Sequence, residues 1–191
     1  MLAGDRIDLS ERHLEALDWS ARALERLRLE GCLVERSQLA GGLLENAHWL
    51  DARFSKCDLS NLELRRLSAV RVELIDCRMA GLRARQTEWE SVVFRGCALQ
   101  YAQLGEASFR ACELDGCNLE DSDLYGADLR GCRLRGCNLR NAELTAAKLE
   151  GADLRGSKIE GLRVLPSDLR GVIVDAGQAL ELALLLGVRI L

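Results

Sequence analysis

The sequence predicts one solenoid of very short repeats, and three observations that keep the same phase carry that prediction. Every fifth residue from Leu9 to Val174 is apolar, without a slip of frame. The period matches neither the 3.6 residues of a helical turn nor the alternation of a strand. It calls for an architecture in which each five-residue block makes the same turn and sends one large side chain inward. All eight cysteines (Cys32, Cys57, Cys77, Cys97, Cys112, Cys117, Cys132 and Cys137) stand two residues before that large position. Twelve of the 17 glycines stand two residues after it, where a corner calls for φ > 0.

From the N-terminus, residues 1–4 read as a tail and 5–174 as 34 blocks of the repeat. The blocks in 5–29 are the poorest. Arg12 and Arg22 occupy the inward slot two residues before the large one, where an unpaired buried guanidinium is costly. These blocks are expected to be irregular, open or capped; the run SERHLEALDWSARALERL also has helical spacing, so a short helix stands as a second reading. Farther along, all three tryptophans (Trp19, Trp49, Trp89) and all three phenylalanines (Phe54, Phe94, Phe109) fall in the large slot. Where that slot shrinks to Ala69 and Ala84, the small slot grows to Leu67 and Leu82. The exchange conserves volume, and a local distortion is expected around 62–84. Elsewhere the small slot holds mainly Ala, Ser, Leu and Val, so cysteine reads there as a small hydrophobe. No CxxC occurs, and the cysteine spacings of 5, 15 and 20 are not those of a zinc site. No metal or other cofactor is expected.

The period stops after Val174, and residues 175–191 form a separate ending. Asp175 is placed as a helix N-cap, Gln178 stands at capping-box spacing from it, and Gly187 is placed to end the helix. The helix is apolar nearly all round, more than one coil end can cover, so an end-to-end homodimer is expected. Its interface would use Leu180, Leu182, Ala183, Leu184, Leu186, Val188 and Ile190. A monomeric cap is the other reading.

Composition excludes several classes. Twenty-six basic and 30 acidic residues leave a net charge of −4, which argues against direct nucleic-acid binding. No basic-then-apolar leader is present and no run approaches ~18 apolar residues, so a cytoplasmic protein with no membrane contact is expected. One proline, Pro166, and no Gly/Ser-rich linker leave no place for a domain boundary. Catalysis finds no support: His13 and His48 are both outward, and every cysteine points inward, away from any base. One charge feature rises above the mixed background. Glu113, Asp115, Glu120, Asp121, Asp123 and Asp128 follow one another without a lysine or arginine, and then Arg130, Arg133, Arg135 and Arg140 take over. This acidic belt reads either as a docking surface for a cationic partner or as a solvated stretch paired with basic neighbours on adjacent coils.

Blocks such as YGADL, EGADL, DGCNL and RGCNL resemble the A(D/N)LXX consensus of the pentapeptide-repeat family over residues 5–174. The resemblance implies an all-β fold, a right-handed quadrilateral parallel β-helix with four blocks per coil. Residues 20 apart would then stack, putting Cys57, Cys77, Cys97, Cys117 and Cys137 in one interior column continued by Ser37 and Ser157. The outer side of that wall is the least charged, with Ala40, Ser60, Ala80, Ala98, Gln100, Tyr101, Asn118 and Asn138, and reads as a docking face or a plain solvated wall. The ending, through Gln178, Ala179, Leu182, Leu186, Gly187 and Val188, is similar to that of the quinolone-resistance, gyrase-protecting members. That likeness implies a short strand after the helix and a two-fold dimer through the C-terminus. It also implies a DNA-like rod, non-enzymatic, that engages DNA gyrase or topoisomerase IV and protects it from quinolones or a toxin. The alternative is a rigid protein–protein interaction scaffold for an unrelated partner.

Overall fold

The backbone turns at one residue in five. In a computed structural model that describes residues 5–185 and 187–189, the residue two places after the large slot is left-handed at nearly every block. Twelve glycines in this phase have φ between 61° and 76°, and 18 non-glycine residues, from Glu11 to Ala146, have φ between 48° and 61°. Glycine takes this conformation at no steric cost. The other residues are held there because the corner amide is bonded into the next coil, as in Glu11 N to Glu30 O (2.8 Å), Arg36 N to Ser55 O (3.0 Å) and Ser91 N to Arg110 O (2.8 Å).

Four such sides close a coil, so partners lie 20 residues apart. Four parallel ladders run through the middle residues of the blocks and define four walls. The first passes through Asp8, Arg28, His48, Ser68, Glu88, Ser108, Asp128 and Lys148. The second runs from His13 through Leu33, Arg53 and Glu73 to Asp153 and Ile173. The third runs from Asp18 to Lys158 and the fourth from Ala23 to Arg163. The molecule is a parallel β-solenoid closed by a single described helix, α1 (Ala176–Leu185).

The interior is one continuous column of apolar side chains. On the first wall its two slots exchange volume from rung to rung: Ala47 with Trp49, Leu67 with Ala69, Thr87 with Trp89, Ala107 with Phe109, all buried. Ala69 is paired to Trp49 on one side and Trp89 on the other, and the two indoles meet across it with centroids 6.3 Å apart. The expected distortion around 62–84 is therefore absent from the ladder, which keeps its register of 20 through Glu63↔Arg83 and Arg78↔Ala98. Trp89 also stacks on Phe109 at 6.1 Å, and Trp49 touches Phe54 at 4.6 Å.

The N-terminal blocks are more regular than their sequence. They form strands Asp5–Ser10, His13–Glu15 and Ala23–Glu30, with one register shift between Asp5 and Arg6. The helical reading of this run is corrected by the pairing: a ladder bond to the next coil satisfies each strand, whereas a helix would leave that coil's edge open. Arg12 and Arg22 are exposed, in a first coil where Ile7, Leu9, Leu14 and Trp19 are only partly buried. At the other end Pro166 cannot adopt φ > 0. The regular corner is lost there, and the chain runs through a turn at 166–170. Asp168 ties that turn down, accepting from Ala146 N (2.9 Å) and Leu165 N (3.2 Å).

The cap of α1 forms as its sequence predicts. Asp175 Oδ1 accepts from Gln178 N (3.0 Å) while Gln178 Oε1 accepts from Asp175 N (2.9 Å). Gly187 (φ 78°) ends it, with Gly187 N bonded to Leu184 O (3.0 Å) and Val188 N to Ala183 O (2.9 Å), a Schellman motif. Gln178 Nε2 docks the helix by donating to Leu154 O (2.6 Å) and Ser157 O (2.7 Å) of the last coil. The tail at 1–4 lies outside the described residues, as do Leu186, Ile190 and Leu191. The expected short strand falls largely on these.

The two buried indoles differ in one respect. Trp89 Nε1 donates to Thr87 Oγ1 (2.8 Å), which in turn donates to Ala84 O (2.7 Å). Trp49 has Ala47 in the equivalent slot, and its Nε1 is buried without a partner. An unmade buried hydrogen bond costs about 1–3 kcal/mol. Thr87→Val is therefore expected to destabilise the protein by about that amount, and Ala47→Thr to stabilise it by about 1 kcal/mol, both read from urea unfolding.

Candidate functional site

No enclosed cleft with converging catalytic groups exists among the described residues; the chemistry of this protein lies on its walls and its C-terminal end. The cysteines are inside. All eight are buried and unbridged. Each thiol donates to the carbonyl of the large-slot residue 23 positions earlier, as Cys57 to Val34 (3.4 Å), Cys97 to Leu74 (3.3 Å) and Cys132 to Phe109 (3.2 Å). Ser157 Oγ makes the same bond to Leu134 O (2.6 Å). The slot thus selects a small residue with a weak donor, a role beyond the filler read from the sequence. Burial pushes the Cys112 thiol up to about 12 and raises Cys132 as well, so neither offers a thiolate.

The six belt carboxylates do not share a face. Glu113 and Asp115 lie on the second wall, Glu120 on the third, Asp121 at the corner between third and fourth, Asp123 on the fourth and Asp128 on the first. Four of them hold basic partners, each with at least one on another coil. Glu113 pairs with Arg133, Asp115 with Arg95 (3.7 Å), Asp123 with Arg85 (2.9 Å), and Asp128 with Arg130 (2.6 Å) and Lys148 (3.8 Å). Arg130 holds the Asp128 carboxyl below its ordinary range. Glu120 accepts only from Asn138 Nδ2 (3.1 Å), and Asp121 has no cationic partner among the described residues.

His13 Nε2 lies 2.8 Å from Glu35 Oε2, and the ligand atoms of His13, Glu15 and Glu35 fall within 4.8 Å of one another. Arg36 already bridges Glu15, so the group carries its own cation. His48 stands on the first wall beside a shallow groove, where the missing corners at Arg26 and Asn46 leave space. Asp51, three residues along the chain, is held by Arg71 through two bonds (2.6 and 2.7 Å).

The C-terminal end is apolar and open. Leu180, Leu184, Leu185 and Val188 are each about half exposed (45–59%). Leu182 instead packs into the core, and Ala183 is half-buried. Of the expected interface, Leu186 and Ile190 lie outside the described residues. No helix is long and apolar enough to cross a membrane.

Comparison with known proteins decides the family. The profile described as Pentapeptide repeats matches residues 122–161 in eight copies, and that of the Pentapeptide repeat region matches 47–124. The chain is a pentapeptide-repeat protein. This pentapeptide-repeat chain is similar in structure to a trypsin-treated form of QnrB1, a plasmid-mediated fluoroquinolone resistance protein. The TM-score is 0.58 at 21% identity, covering 98% of this chain and 96% of that one. HetL, a pentapeptide repeat protein involved in heterocyst differentiation regulation from the cyanobacterium Nostoc sp. strain PCC 7120, gives 0.48 at 20% identity over 92% of each chain. A search of curated protein sequences finds no match.

Among the described residues the most buried carboxylate in an ion pair is Asp153, only 5% exposed. Arg155 donates to it through Nε (3.0 Å), a second guanidinium nitrogen (2.9 Å) and its backbone N (3.2 Å), and Arg135 adds Nε (2.8 Å). These bonds, from Arg155 first, hold its carboxyl well below the usual range. Such a carboxylate stabilises the fold fully above the unfolded pKa near 3.9 and loses that contribution as pH falls toward the folded value. Asp153→Asn is expected to cost about 1–2 kcal/mol at pH 7. The difference in Tm from the parent protein should shrink steadily below pH 4.

Proposed function

We propose that this pentapeptide-repeat protein is a non-enzymatic binder of DNA gyrase or topoisomerase IV, shielding the topoisomerase from quinolones or a toxin as a rod of roughly the breadth of duplex DNA. The observation that carries this reading is end-to-end likeness: the match to QnrB1 spans nearly the whole of both chains. The exposed leucines of α1 support a two-fold dimer through the C-terminus, which would double the length of the rod. Its place of action would be the cytoplasm, where the topoisomerases work.

A second reading, a rigid scaffold for an unrelated partner, is favoured by the neutralised surface. Most carboxylates on the walls hold an arginine, including Asp51, Asp58, Glu143 and Glu160, which weakens an acidic, DNA-like field.

Two measurements separate these outcomes. The purified chain is expected to restore gyrase supercoiling in the presence of ciprofloxacin and to reduce drug-stabilised cleavage; no effect on gyrase or topoisomerase IV would leave the scaffold. In sedimentation, the parent is expected to be a dimer, and Leu180→Asp with Leu184→Asp a folded monomer with a lower Tm, since both side chains are exposed on the single chain and the stabilisation by association is lost. A monomeric parent would remove the dimer.

A further inference from the structure

Among the described residues, the large hydrophobic side chains that are exposed fall in two places. Leu165, Ile173, Leu180, Leu184, Leu185 and Val188 gather at the C-terminal end; the other two are the chain's only tyrosines, Tyr101 (64% exposed) and Tyr125 (46%). Both stand in mid-rod on neighbouring coils, Tyr101 at the corner of the third and fourth walls and Tyr125 across the fourth wall, one rung on.

Tyr101 is held in an unfavourable place. Its φ is 60°, in the column of corners that otherwise holds Ala21, Gly41, Asn61, Gly81, Asp121, Asn141 and Gly161. It is the only aromatic residue among the left-handed corners. A bulky residue in this conformation is strained, and such strain gathers at functional sites. Next to it, Gln100 Oε1 is shielded from solvent and has no hydrogen-bond partner.

Carboxylates without cations frame the pair. Tyr101 N donates to Glu120 O (3.1 Å) and Glu106 N to Tyr125 O (2.8 Å), so each tyrosine is backbone-bonded to an acidic residue. Glu106 accepts from Gln86 (2.7 Å) and Glu120 from Asn138, while Asp121 follows Tyr101 one rung on in the same corner column; none of the three holds a lysine or arginine among the described residues. Arg140, one rung above Glu120, is turned to Glu160 (2.9 Å). The nearby Arg85 lies flat across Gly105 to reach Asp123, two coils on. A Cβ at Gly105 would sit 2.8 Å from its guanidinium, so the bare glycine keeps the floor beneath Tyr125 level.

We infer that Tyr101 and Tyr125, with Glu106, Glu120 and Asp121, form the principal docking patch of the rod for a basic, arginine-bearing protein surface. Partner guanidinium groups would stack on the phenol rings and pair with the three carboxylates. This rests on the topoisomerase reading for the identity of the partner, though not for its chemistry.

Tyr101→Asn with Tyr125→Thr is the variant of choice. Asn61 and Asn141 already serve at the first column and Thr145 at the second, and net charge is unchanged. Its Tm is expected to be equal to or higher than the parent's, because Asn tolerates the corner. Its affinity for immobilised gyrase holoenzyme is expected to fall about tenfold or more. A folded variant that binds gyrase as tightly as the parent overturns the patch. If the parent binds neither gyrase nor topoisomerase IV, the topoisomerase reading fails, and immobilised deca-arginine becomes the probe. Earlier salt elution of the variant than of the parent would then support the patch, and identical elution would overturn it.

Discussion

The left-handed corner repeated at every fifth residue is the constraint on which the whole structure depends. It sets the side at five residues and the coil at 20, and thereby decides which side chains stack. Its cost is spread over 18 non-glycine positions. It is offset because most corner amides bond to the following coil, and because inward carbonyls are taken up by thiols and hydroxyls in the small slot. Interior volume is then a local matter: Trp49 and Trp89, two rungs apart, meet because Ala69 stands between them. Where the corner fails, at Arg26 and at Pro166, the wall opens into a groove or gives way to a turn.

The fold was legible because large slot, small slot and corner each recur with period five, so even imperfect blocks kept the frame. The cap of α1 was equally legible, since Asp175 and Gln178 act within a few residues of each other. The first blocks misled because local spacing in SERHLEALDW suits a helix, whereas pairing to the coil above decides the outcome. The acidic belt left two readings open for a related reason. A window from Glu113 to Asp128 winds through all four walls, while the contacts that matter run along a wall. Arg133 answers Glu113, Arg71 answers Asp51, Arg163 answers Glu143 and Arg140 answers Glu160, all at a separation of 20. Opposite charges at that separation were the signal that could have found them. The thiol-to-carbonyl bonds had no such signal, since alanine fills the same slot elsewhere.

A surface knit together in this way leaves few places able to recognise anything. Exposed ion pairs contribute little stability each, but collectively they quench the field that an acidic rod would otherwise present. Recognition then falls to the positions the pairing leaves out: the greasy end under α1 and the tyrosine-bearing stretch of the fourth wall. The first suits self-association, being rich in exposed leucines. The second suits a foreign surface, being aromatic and framed by carboxylates.

The 20-residue register has a consequence for how such a protein can change its length. Removing one whole coil would shorten the rod by a single rung and leave every remaining column on its own wall. Removing a single block would also preserve the interior, because large and small slots would still meet. But it would rotate everything beyond the deletion by a quarter turn about the long axis. The span between the tyrosines and the C-terminal end, and the azimuth at which they face one another, are therefore separate adjustments, one made in steps of 20 residues and the other in steps of five.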